Sequence, residues 1–176
     1  MGIFIILFAI IIAILLLMSS KTEAKPVKHK TTSYSSYSSA SSKTFKIAGI
    51  SRRCNKKDIG IIIGAVVNEN DNPHDPYAKS IIANYGQRNQ KHLGYIAKSD
   101  QYYYEGLAKN TTELPFVGFI EEFETDDNRM AIFGKIKVFS GKETDVENAM
   151  TETMMHITDA FRVSNYNKRI EMLDNI

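Results

Sequence analysis

One cysteine, four prolines and no tryptophan occur in these 176 residues. A lone Cys54 excludes an intrachain disulfide and a cysteine-based metal cluster, and it suits a reducing compartment without requiring one. Arg52, Arg53, Lys56 and Lys57 surround it and would favour a thiolate. An isolated cysteine is nevertheless more simply a small core or surface residue. The histidines at 29, 74, 92 and 156 follow no metal-ligand spacing. No Gly-x-x-x-x-Gly-Lys phosphate loop occurs, which removes a nucleotide-driven motor. Glu121-Glu122 and Asp126-Asp127 belong to a turn-like acidic stretch and read as a solvated tip. No catalytic constellation emerges, so neither enzymatic activity nor a cofactor or metal is expected.

Excess charge of one sign is also missing. The formal net charge is +2, too little for a protein that wraps nucleic acid with its whole surface. The distribution is uneven, however. Residues 21–57 hold ten Lys or Arg against one Glu, residues 58–141 eight against twelve acids, and residues 142–176 four against seven.

Only one long apolar run is present, Ile3 to Met18, sixteen residues without a charge. As a helix it reaches about 24 Å, slightly short of a roughly 30 Å hydrocarbon core. Gly2, Ser19 and Ser20 extend it without burying charge. No Lys or Arg precedes it, and lysines 21, 25, 28, 30 and 43 all follow. By the positive-inside rule this favours an uncleaved anchor over residues 1–20, with the rest of the chain cytoplasmic. The competing reading is a signal peptide cleaved near Ala24 to give a secreted domain. Residues 21–44, rich in Lys and then in Ser and Tyr, lack the apolar content to fold and read as a flexible linker.

Folded patterning begins at Phe45. Strands are expected at 45–50, 61–67, 78–84, 92–96, 115–120 and 130–139, with the acidic stretch 121–128 turning the last two into a hairpin. A helix is expected over 100–109, capped by Ser99. Together these make a mainly β, α+β domain at 45–140: a small, bent antiparallel sheet or partly open barrel with one internal helix. Gly49, Gly64, Gly118 and Gly134 fit bulges or tight corners. Residues 141–176 turn helical. Val146, Met150, Met154, Ile157 and Phe161 form one apolar stripe, which serves either the domain itself or a protein partner along 143–164.

Between the second and third strands lies Asn68-Glu69-Asn70-Asp71-Asn72-Pro73-His74-Asp75-Pro76-Tyr77. Prolines 73 and 76 fix φ and withhold donors, so neither helix nor ladder continues. Asn72 and Asp75 stand before proline and are pushed extended. The loop either satisfies its own backbone with these side chains or presents Asn, His and Asp heads to a ligand.

Phe45-x-Ile47-Ala48-Gly49, Asn72-Pro73-His74-Asp75-x-x-Ala78 and Leu93-Gly94-Tyr95-Ile96 occur in this order, and with them segment 45–140 resembles a HIRAN domain. The resemblance implies a barrel related to oligonucleotide-binding folds and a pocket for the 3′ end of single-stranded DNA. On that likeness Asp75 would accept from the terminal hydroxyl, while His74 and Tyr95 would offer faces for stacking. Lys98 would meet a phosphate, with Asn72, Arg52 and Arg53 completing the site. Ser51-Arg52-Arg53 replaces an Arg-Tyr pair of the family, Lys79 an apolar residue, and Ala97 a frequent proline. The function implied is a membrane-tethered, non-catalytic module for single-stranded nucleic acid. The alternative is a protein-interaction scaffold that kept the fold without the pocket.

Overall fold

The computed structural model describes residues 40–109, 111–125, 127 and 129–176. The apolar run 3–18 and most of the Lys/Ser linker lie outside the described residues. Among those described, no helix is long and apolar enough to cross a membrane.

Six antiparallel strands close a barrel: β1 (Ser41–Ala48), β2 (Gly60–Asn68), β3 (Lys79–Ala83), β4 (Lys91–Ile96), β5 (Glu113–Glu124) and β6 (Met130–Ser140), in the order β1-β4-β3-β2-β5-β6. The partly open barrel expected from the sequence is therefore closed. The cause lies in β1, which pairs along Ser41–Lys46 with β6 and then with β4 at Ile47↔Ile96 and Ala48↔Tyr95. Its start at Ser41 rather than Phe45 takes four polar residues from the supposed linker. Those residues pair with the end of β6 while their side chains stay largely outside, so hydrophobic patterning could not reveal them.

Three helices accompany the barrel: α1 (Gln101–Ala108), α2 (Glu143–Phe161) and α3 (Tyr166–Asp174). A 3-10 turn, Lys98–Asp100, leads into α1, and Asp100 rather than Ser99 stands at its N-cap, without a side-chain capping bond. The expected single C-terminal helix is two, separated by Arg162–Asn165. Asn165 starts the second by accepting from the Lys168 N–H. The β5–β6 ladder runs on to Glu124↔Met130, four residues past the end expected for β5 at Ile120.

Alternation along β5 shows how the core divides. Phe116 and Ile120 face the barrel interior with Phe45, Val66, Ile81, Leu93, Ile96, Ile136 and Val138, and Tyr104 and Ala108 of α1 join them. Val117 and Phe119 face outward, where Val146, Ile157 and Ala160 of α2 and Leu173 of α3 cover them. Each large side chain so buried contributes about 1.5–3 kcal/mol. Met150, Met154 and Phe161 are packed on this outer cluster, so the apolar stripe of α2 lies on the chain's own barrel.

Three glycines mark where strands approach too closely for a side chain. A Cβ at Gly64 would meet the Ile82 carbonyl oxygen at 2.0 Å, one at Gly118 the Lys135 oxygen at 2.2 Å, and one at Gly94 the Ala48 oxygen at 2.3 Å. The ladder slips between β3 and β4, where Ile81 pairs with Gly94 but Ile82 pairs with His92. Leu93 is thus the extra residue of a bulge.

Candidate nucleic-acid interface

The loop after β2 is built as its composition dictates. Asn72 Oδ1 accepts from the His74 N–H at 2.9 Å and the Asp75 N–H at 3.2 Å, and Asp75 Oδ1 accepts from the Tyr77 N–H at 3.0 Å. These are turns in which Asx side chains replace backbone partners. The second oxygen of Asp75 looks elsewhere: it accepts from Gln101 Nε2 at 2.9 Å, which ties the loop to the start of α1. That amide first, then the Tyr77 N–H and the charges of Lys98 and Lys79, hold the Asp75 carboxyl below its usual range. It is an anion at neutral pH, with lone pairs left to accept from a hydroxyl.

Glu69 joins the loop to β3. Its Oε2 accepts from the Ser80 hydroxyl at 2.7 Å and lies 3.4 Å from Asn72 Nδ2. Tyr95 also reaches it by a side-chain hydrogen bond. The Ser80 bond above all lowers the Glu69 pKa, whereas burial and then the Glu69 charge raise that of Tyr95. A chain of polar contacts therefore runs from Asp75 through Asn72 and Glu69 to Tyr95.

The bulge at Leu93 sets the ring positions on β4. Residues three apart on a regular strand face opposite sides, yet the rings of His92 and Tyr95 meet edge to face at 4.7 Å. The slipped residue turns them to one side and leaves Leu93 and Ile96 buried on the other. His92 Nε2 contacts the Gly94 carbonyl at 2.9 Å. Since a carbonyl only accepts, the imidazole proton sits on Nε2. The guanidinium of Arg53 lies 5.5 Å above the Tyr95 ring centroid. It gets there because Gly49, at φ +76°, ends β1 in a left-handed turn into the 3-10 turn Ile50–Arg52. That turn buries Ile50 and Cys54 and leaves Arg52 and Arg53 exposed. Cys54 packs in the core, and that burial raises its thiol pKa.

Five of the seven residues singled out in the sequence are thus linked: Asn72 and Asp75 through the loop, Tyr95 through Glu69, Arg53 over Tyr95, and Lys98 by its charge on Asp75. His74 joins through its backbone N–H and leaves its ring exposed, and Arg52 is exposed on the neighbouring turn. The basic segment does not converge as a whole. Lys56 pairs with Glu122 at 2.8 Å on β5. Lys79, in the strand following the loop, is 3 % exposed and pairs with Glu105 of α1 over the Tyr104 ring. The sequence reading missed Glu69, Gln101, and the exposed rings of Tyr77, Tyr102 and Tyr103. Tyr102-Tyr103-Tyr104 carried a usable signal, since a helix at a barrel mouth cannot bury three successive residues.

Compared with protein-family models, curated proteins and solved structures, the chain gives no match.

Proposed function

We propose that residues 45–140, with the extension of β1 to Ser41, form a HIRAN-like module that takes the 3′ end of single-stranded DNA, without catalysis. The apolar run 3–18 would tether it to a membrane with the domain on the cytoplasmic side. The observation that carries this reading is Asp75. Its loop satisfies its own backbone with Asn72 Oδ1 and Asp75 Oδ1, but Asp75 Oδ2 faces α1 and Gln101, within the field of Lys98. A charged carboxylate at that place suits a sugar hydroxyl and repels a phosphate, which is the discrimination an end-reader needs. Tyr95 under Arg53 supplies a flat face backed by a cation, the arrangement that holds a base in a sequence-tolerant way.

The scaffold reading has less support, because the Met-bearing stripe of α2 is taken up by its own barrel. Fluorescence anisotropy on residues 40–176, which contain every strand of the barrel, separates the two. Single-stranded DNA with a free 3′ hydroxyl is expected to bind roughly tenfold or more tightly than the 3′-blocked strand, and Asp75→Asn to erase that ratio. Binding that ignores the end and vanishes with salt would reduce the site to a basic patch.

A further inference from the structure

Three consecutive tyrosines follow Gln101 in the first turn of α1, and the helix uses them unequally. Tyr104 is fully buried and donates its hydroxyl to the Val66 carbonyl at 3.1 Å, so its role is structural. Tyr102 and Tyr103 are 82 % and 51 % exposed. Their rings meet edge to face at 5.8 Å. Lys43 Nζ of β1 stands 3.9 Å from the Tyr103 centroid. Neither ring strengthens the helix, since tyrosine is a poorer helix former than the Lys, Glu or Gln usual on such a face. Adjacent aromatics that keep this much surface in water offer a face to a partner.

What that partner is follows from the neighbours. Gln101, the residue before Tyr102, donates to Asp75, so the helix that carries the rings starts at the proposed end site. Lys98, in the turn leading into α1, and Lys43 border them with positive charge. Of the acids on this segment, Glu105 is paired with Lys79, and Asp100 occupies the helix N-cap, where the dipole favours it. π faces flanked by cations suit unstacked bases and the phosphates between them.

We infer that Tyr102 and Tyr103 form a second stacking platform for the bases next to the captured terminal nucleotide, with Lys43 and Lys98 facing the intervening phosphates. The inference rests on the end-recognition reading and extends its footprint beyond one nucleotide. Terminal capture is the work of Asp75, and the platform supplies affinity that grows with strand length.

The test uses the full-length protein and single-stranded DNA of increasing length, from a dinucleotide to a hexanucleotide, each with a free or a blocked 3′ hydroxyl. Wild type is compared with Tyr102→Ser/Tyr103→Ser and Tyr102→Phe/Tyr103→Phe, with thermal melts run alongside to show that each barrel is folded. Affinity is expected to rise with length in wild type and in the Phe pair. The Ser pair is expected to lose that rise, about tenfold or more on the longest strand, while keeping the preference for a free hydroxyl. A Ser pair with undiminished length dependence and intact end preference overturns the platform alone. Length dependence that needs the rings but ignores the hydroxyl supports the platform and sinks the end pocket. No binding at any length overturns both.

Discussion

His92 is a residue whose charge state the candidate site controls. Burial first, and then the nearby Arg53 charge, lower its pKa, outweighing the Gly94 contact and the Glu69 charge that act the other way. In the unfolded chain it titrates near its ordinary value of 6.5. Between that pH and the lower folded pKa, the unfolded state binds more protons than the folded one. Stability therefore rises with pH across this window and is lost as the pH falls below about 6.5. The carboxyls of Asp58, Glu69 and Asp75, all held below their usual values, add their losses only further into acid. Thermal melts from about pH 7.5 down to about pH 5 are expected to show a falling midpoint in the wild type and a flatter curve in His92→Gln. Parallel curves would mean that His92 titrates as it does in an unfolded chain.

Among the elements, the strand glycines separate two kinds of constraint. At Gly118 an added methyl would meet the Lys135 oxygen at 2.2 Å and Ile136 Cα at 2.8 Å, both on the paired strand, so the β5–β6 ladder would have to open. Gly106 in α1 has nothing within 4 Å of such a methyl, and there alanine only restricts the unfolded chain and improves helix propensity. Chemical unfolding should show Gly118→Ala losing about 2–4 kcal/mol and Gly106→Ala gaining about 0.5–1 kcal/mol. Equal effects at the two sites would refute the close approach at Gly118. The strand interiors were legible for the same reason that these glycines matter: apolar runs such as Ile61–Val67 and Pro115–Ile120 have nowhere to go but a sheet. Ser41–Thr44 escaped notice because pairing with β6 comes from backbone bonds that leave no hydrophobic trace. The helix break at Arg162–Asn165 carried only the weak signal of Ser164-Asn165. Within the site, Asn72 and Asp75 were readable from Asx-Pro turn chemistry. The joining of His92 to Tyr95 was not, because it depends on a one-residue slip in register, and a bulge has no mark in the sequence beyond a glycine nearby. Glu69 and Gln101 were missed because their importance lies in partners distant along the chain, Ser80 and Asp75.

For the whole molecule, the outer faces of β5 and β6 set the terms. An apolar strand face left in water would invite association, and α2 covers it together with α3, whose Leu173 is fully buried. The last helix is held by polar ties as well. Tyr166 donates to the Glu122 carbonyl at 2.9 Å, Lys135 meets Asp174 at 2.5 Å, and Thr44 on β1 donates to the Ile176 carbonyl at 2.8 Å. The deepest tie joins Arg169 Nε to Glu121 Oε2 at 2.8 Å, with side chains 21 % and 4 % exposed. It is an ionic contact without hydrogen-bond alignment. The other Glu121 oxygen accepts from the Glu122 N–H at 3.0 Å. Desolvation makes such a pair a modest net contributor, but removing one partner strands the other charge. Arg169→Ala is therefore expected to cost about 2–4 kcal/mol, whereas Glu121→Met/Arg169→Met, which removes both charges and refills the volume, should lie within about 1 kcal/mol of wild type. Urea unfolding of residues 40–176 reads both values, and the free-over-blocked 3′ affinity ratio of the double variant should match wild type, because neither residue belongs to the Asp75 chain of contacts. A cost below about 0.5 kcal/mol for Arg169→Ala would mean that water screens the pair and that apolar packing by Leu173 alone holds the C-terminal helix.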